Sequence, residues 1–147
     1  MTTRHKLELT RAIGEEHGEL NSAIEALQEA LVKRSAAPGQ LLATFQELAR
    51  CVRRHFEHEE EGGYFANVLE TAPWLRDRVG ELLRDHPEMT RQLDVLLEYT
   101  GRGTPNGRWW DSLDEMFTRF RETFGAHETA ENNLLQESIC RDVGTKD

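Results

Sequence analysis

The sequence predicts an all-α fold, an antiparallel up-down-up-down bundle of four helices. Three observations predict it. Apolar residues recur at alternating steps of three and four along four long segments, the spacing that lines one stripe of a helix and that bundle packing buries. Clusters of Gly, Pro, Ser and Asn separate those segments, and short connections fold long helices back against one another. No stretch alternates apolar and polar residues with the period of two that a half-buried strand requires. At 147 residues the whole chain, 1–147, is expected to form one domain with a core of useful size.

The first helix is expected from about Thr3 to Lys33, stopped by Ser35-Ala36-Ala37-Pro38-Gly39. Its stripe is Ile13, His17, Leu20, Ile24, Leu27 and Leu31. The second begins near Gln40, carries Leu41, Phe45, Leu48, Val52, His55 and Glu59, and ends at Gly62-Gly63. A short link from Tyr64 to Pro73 leads to the third, with Leu75, Val79, Leu82, His86, Met89, Leu93 and Leu96, ending before Gly101-Arg102-Gly103-Thr104-Pro105-Asn106-Gly107. The fourth runs from Trp109 to about Cys140 and carries Leu113, Phe117, Phe120, Phe124, His127, Glu131 and Leu134, with a frayed tail expected from Val143 to Asp147. Pro87 lies inside the third stripe; it either bends that helix or starts a new one capped by Asp85.

Composition removes several functions. A formal net charge of −9, with basic residues scattered along the chain, argues against a nucleic-acid backbone as partner. No run approaches the roughly 20 apolar residues that cross a bilayer. Met1-Thr2-Thr3-Arg4-His5-Lys6 opens a polar periodic segment without a hydrophobic leader core, so the expected location is the cytoplasm. Cys51 and Cys140 are far apart in sequence, which fits a reducing compartment and excludes a thiolate cluster or zinc ribbon.

Each apolar stripe is interrupted by a histidine, and two carry a glutamate one turn later. Unpaired polar groups in a core cost several kcal/mol, so six of them need a common partner. A metal provides it, because neutral imidazole and ionised carboxylate are its ligands. Counted from the turns, the four histidines fall within about two helical turns of one level at roughly 1.5 Å rise per residue. The spacings His55-x-x-x-Glu59 and His127-x-x-x-Glu131 place each imidazole and carboxylate on one face. Two such pairs, with His17 and His86, suit two metal ions bridged by two carboxylates. A metal-free bundle would have to satisfy all six by hydrogen bonds and buried water.

Other residues carry plainer expectations. His5 and His58 are expected at or beside the surface, and Glu57, Glu60, Glu61 and Glu128 in solvent. Cys51 is expected as a small buried thiol, Trp109 and Trp110 as a cap on the bundle end, and Gly62-Gly63 as a helix stop.

The motifs also resemble a known family. His55-Phe56-Glu57-His58-Glu59-Glu60-Glu61 is similar to the HFxxEE motif of haemerythrin-like (HHE) domains, and His127-Glu128-Thr129-Ala130-Glu131-Asn132 to their fourth-helix HxxxE motif. Glu16-His17-Gly18-Glu19-Leu20 resembles the first-helix histidine and Asp85-His86-Pro87-Glu88 the third. The resemblance implies a non-haem centre of two Fe ions, with His17 and His55 on one iron, His86 and His127 on the other, and Glu59 and Glu131 bridging. Ferritin-like bundles use Glu-x-x-His instead, and the positions three before the histidines are Gly14, Val52, Leu83 and Phe124. Oxygen-carrying haemerythrins have a further third-helix histidine one turn from the first; here those places hold Leu82 and Thr90. That departure implies open positions on the His86 iron. The function expected is binding, and reduction, of a small oxidant such as O2, peroxide or NO. The alternative is an iron or oxygen sensor, or an iron-binding protein without turnover, passing its state to a protein partner. Manganese and zinc accept the same ligands.

Overall fold

The computed structural model describes residues 3–144, apart from the side chains at 3, 5–7, 9–10 and 141–144. The expectation for His5 falls outside it. Helix α1 spans Thr3–Lys33, α2 Pro38–Glu60, α3 Tyr64–Thr71, α4 Arg76–Thr100 and α5 Gly107–Gly144, with a 3₁₀ turn at Pro73–Leu75. Among the described residues there is no strand. No described helix is long and apolar enough to cross a membrane.

Local chemistry explains the ends. Arg34 takes a positive φ of 50° and closes α1; Pro38 opens α2 at a position whose N–H would be unpaired in any case. After α2, a Cβ on Gly62 would lie 2.7 Å from the His58 carbonyl oxygen, and Gly63 has φ +89°, so the reversal needs both glycines. Asn106 Oδ1 accepts from Trp109 N at 2.9 Å and caps α5. That helix continues to Gly144, past the expected fray at Val143, and residues 145–147 lie outside the described residues. Pro87 sits inside one continuous α4, which decides against a new helix capped by Asp85.

The expected link from Tyr64 to Pro73 is a correction: most of it is α3. Periodicity over so short a segment is weak evidence, but Phe65, Val68, Ala72 and Leu75 have somewhere to go. With Ile13, Val79, Leu82, Leu134 and Leu135 they form an apolar cluster at one end of the molecule. The larger cluster fills the other end, from Leu20, Val52, Met89 and Phe124 outward to Leu31, Leu41, Leu96 and Leu113. Trp109 and Trp110 are buried there, edge to face at 4.9 Å, and cap it as expected.

Helix α1 packs against α2 and α5, and α4 packs against the same two. Exposed ion pairs stitch the neighbours, among them Arg34–Asp111, Arg54–Glu19, Arg53–Asp94 and Arg78–Glu137. Such pairs contribute little stability; the apolar stripes carry it. Phe117 is 0% exposed and Val32 69%. Phe117→Ala is expected to cost about 3–5 kcal/mol, whereas Val32→Ala should stay within about 0.5 kcal/mol. Denaturant unfolding followed by circular dichroism checks this, and equal costs would contradict the assigned core.

Candidate metal centre

Between the two apolar clusters lies a polar layer. On α1, His17 separates Ile13 from Leu20; on α4, His86 separates Leu82 from Met89; on α5, His127 and Glu131 separate Phe124 from Leu134. On α2, His55 and Glu59 follow Val52. All six polar residues are buried. The three-four stripe that buries the leucines carries the ligand-type residues inward with them.

Among the described residues two groups come together whose nitrogen and oxygen atoms lie within 4.8 Å of one another: His17, His55 and Glu131, and Glu59, His86 and His127. Glu131 and Glu59 tie the groups together. Glu59 Oε1 is 2.6 Å from His55 Nε2, while its Oε2 accepts from His86 Nε2 at 3.1 Å. Glu131 Oε1 accepts from His17 Nε2 at 3.1 Å, and its Oε2 is 3.6 Å from His127 Nε2. Each carboxylate therefore turns one oxygen to each histidine pair.

A family model for the hemerythrin HHE cation-binding domain matches residues 8–139 of the chain. The chain belongs to this family. No curated protein and no solved structure matches it.

The donor set of this HHE domain fits a cation. Glu59 Oε1, His127 Nε2 and Glu131 Oε2 are buried without a hydrogen bond, although Glu59 Oε1 is so near His55 Nε2. Short contacts without hydrogen-bond alignment are what remains when donors aim at a shared ion. Left unsatisfied, each such atom costs about 1–3 kcal/mol, and a cation removes that cost for several atoms at once.

The surroundings hold the rings. Phe56 stacks on His86, centroids 3.8 Å apart and planes 6° from parallel, and meets His127 edge-on at 5.9 Å. His17 and His55 meet edge to face at 4.9 Å, and His86 and His127 at 5.0 Å. Sequence reasoning saw Phe56 only as a motif letter. Glu60 is exposed as expected, yet its Oε1 accepts from His86 Nδ1 at 3.1 Å, whereas Glu128, expected in solvent, is half-buried and accepts from Asn21 at 2.8 Å. An acidic residue beside a motif glutamate reads as surface until the neighbouring helix is placed. His58 is partly exposed and bonded to Glu16 at 3.1 Å; Cys51 is half-buried, not enclosed. Leu82 belongs to the apolar cluster beneath His86. Thr90 lines a surface cleft of about 480 Å³ that His86, Phe56 and Pro87 border.

Without a cation the carboxylates hold protons on the rings. Burial lowers the pKa of His55, but the adjacent carboxylates of Glu131 and Glu59 outweigh it and raise the value from 6.5 to about 10. His17 and His86 rise for the same reason, opposed by burial and driven by Glu131 in one case and by Glu59 and Glu60 in the other. Burial pushes Glu131 up, yet His17 and His55 hold it far below the usual carboxylate range. Raised histidine values stabilise the metal-free fold fully below pH 6.5, and that stability is lost as pH climbs toward about 10. The depressed Glu131 value stabilises it above pH 4.5 and fails as pH falls through that group's folded value. The metal-free protein should therefore melt highest between about pH 4.5 and 6.5 and progressively lower toward pH 9.5. A cation replaces those protons, so the loaded protein should gain over the metal-free one as pH rises. Melting curves with and without chelator across this range test both trends, and a metal-free protein that grows more stable toward pH 9.5 contradicts the proton assignment.

Proposed function

We propose that this HHE domain is a non-haem di-iron protein that binds, and reduces, a small oxidant such as O2, peroxide or NO. The observation that carries the reading is the disposition of Glu59 and Glu131, each with one oxygen toward each histidine pair. On this reading His17 and His55 hold one ion, His86 and His127 the second, and the two carboxylates bridge them. Two imidazoles and the two carboxylates would then be the side chains available to each ion, and positions for a small molecule would remain on a five- or six-coordinate ion. With Leu82 and Thr90 in the flanking turns of α4, no further side chain fills those positions from that helix.

Iron bound there supplies one-electron steps and open coordination to the incoming molecule. The chain supplies the rest. Its two apolar clusters exclude bulk water from above and below the polar layer. Clefts beside His86 and beside Leu82 and Asp85 flank α4, which supports approach from the side of that helix on this reading.

The reading includes an antiparallel up-down-up-down arrangement of the four long helices within one domain. Its support is that contact numbers rise on one helix as they fall on its neighbour: Glu16 with His58 and Glu19 with Arg54, Glu60 with His86 and Arg53 with Asp94, Thr123 with Gln92 and Glu137 with Arg78, Asn21 with Glu128 and Arg34 with Asp111. The free thiols Cys51 and Cys140 support work in a reducing, cytoplasmic setting.

Anaerobic reconstitution with ferrous iron, followed by elemental analysis and optical spectroscopy, tests the proposal. The expected result is two irons per chain, lost in a His55→Ala/His127→Ala variant, and an absorption change on adding O2, peroxide or NO. Repeated consumption of oxidant in the presence of a reductant supports turnover; one stoichiometric change supports sensing. Absence of bound iron in the unaltered protein, or a loaded spectrum indifferent to all three oxidants, removes the reading.

A further inference from the structure

Four acidic residues outside the cluster of six border it, and each is the sequence neighbour of a cluster member. Glu16 precedes His17, Glu60 follows Glu59, Asp85 precedes His86 and Glu128 follows His127. Three of them reach an imidazole on the adjoining helix. Glu16 Oε1, on α1, lies 3.2 Å from His55 Nδ1 on α2. Glu60, on α2, accepts from His86 Nδ1 on α4 at 3.1 Å. Asp85, on α4, accepts from His127 Nδ1 on α5 at 3.3 Å. Helix α5 packs against α1, and there Glu128 accepts from Asn21 while its second oxygen is buried without a partner. The acidic contacts thus run in one direction round the bundle, from each helix to the next.

We infer that Glu16, Glu60 and Asp85 are positioning residues that hold the outward nitrogens of the imidazoles and set the electron donation of the inward ones. The inference rests on the site being a metal centre as proposed above. A neutral imidazole has one ring proton, and a carboxylate facing Nδ1 keeps it there, which leaves the Nε2 lone pair directed inward. The orientation is fixed twice at His86, by Glu60 at its edge and Phe56 on its face. Negative charge on the outer nitrogen also makes the imidazole a stronger donor and favours the more highly charged ion. Solvent screens the effect unequally, because the side chains of Glu16, Glu60 and Asp85 are 12%, 44% and 53% exposed. Glu16 is held most firmly: it accepts from His58 Nδ1 at 3.1 Å and from Tyr64 Oη at 3.3 Å, so α1, α2 and α3 meet at one carboxylate.

Two paired variants separate orientation from charge: Glu60→Ala/Asp85→Ala, and Glu60→Gln/Asp85→Asn, whose amide oxygens still accept from Nδ1–H. Glu57→Ala, an exposed change on α2, is the control. The readouts are ferrous iron affinity by chelator competition under anaerobic conditions, and reduction potential by redox titration. Helical circular dichroism of the metal-free proteins confirms folding. The alanine pair is expected to bind iron about 10- to 100-fold more weakly. The amide pair should recover most of that affinity yet show a raised reduction potential, because geometry is kept and charge is gone; the control should match the unaltered protein. Unaltered protein that binds two irons, together with an alanine pair of equal affinity and potential, overturns this inference alone. Unaltered protein that binds no iron overturns the metal-centre reading and the inference with it.

Discussion

Six polar side chains share the middle of this bundle, and satisfying them constrains everything packed around them. Burying imidazoles and carboxylates without partners costs more than a chain of this size can spare. Relief comes from pairing them with one another or with a cation, and both require four helices at one register. A slip of one residue on any helix would turn its histidine out of the layer and a solvent-facing residue into it. The polar layer therefore specifies the alignment, and the apolar clusters on either side supply the stability.

That division explains the lower end of the molecule. Four long helices alone would leave Ile13, Val79 and Leu134 at an open mouth below the histidines. The eight residues of α3, with Leu75 behind them, close it. Closure keeps water from the carboxylates, and dry surroundings strengthen every electrostatic interaction among the six. The glycine pair before α3 and its Tyr64 contact to Glu16 tie the floor to the layer it covers.

The metal-free and loaded forms solve the same electrostatic problem differently. In the first, protons on His17, His55 and His86 balance Glu59 and Glu131, which raises the pKa of all three rings. In the second, a cation takes the place of the protons and the rings become neutral ligands. The same carboxylates serve both states.

How much of this was legible in the chain follows from the range of each interaction. Local periodicity alone determined the four long helices, because a stripe of leucines at steps of three and four is buried only as a helix. It also determined that His17, His55, Glu59, His86, His127 and Glu131 face inward, since they occupy that stripe. Tertiary structure alone decided what those residues meet. That Glu59 and Glu131 each face both histidine pairs depends on distances between helices, which no spacing within one helix encodes. The same holds for Glu60, read along its own helix as solvated, for Asp85, read only as a possible cap, and for Phe56, whose stacking on His86 exists only across α2 and α4. Helix α3 was hidden for a related reason: eight residues are too few to show a period, and Phe65 and Val68 become helical by burial against partners distant in sequence.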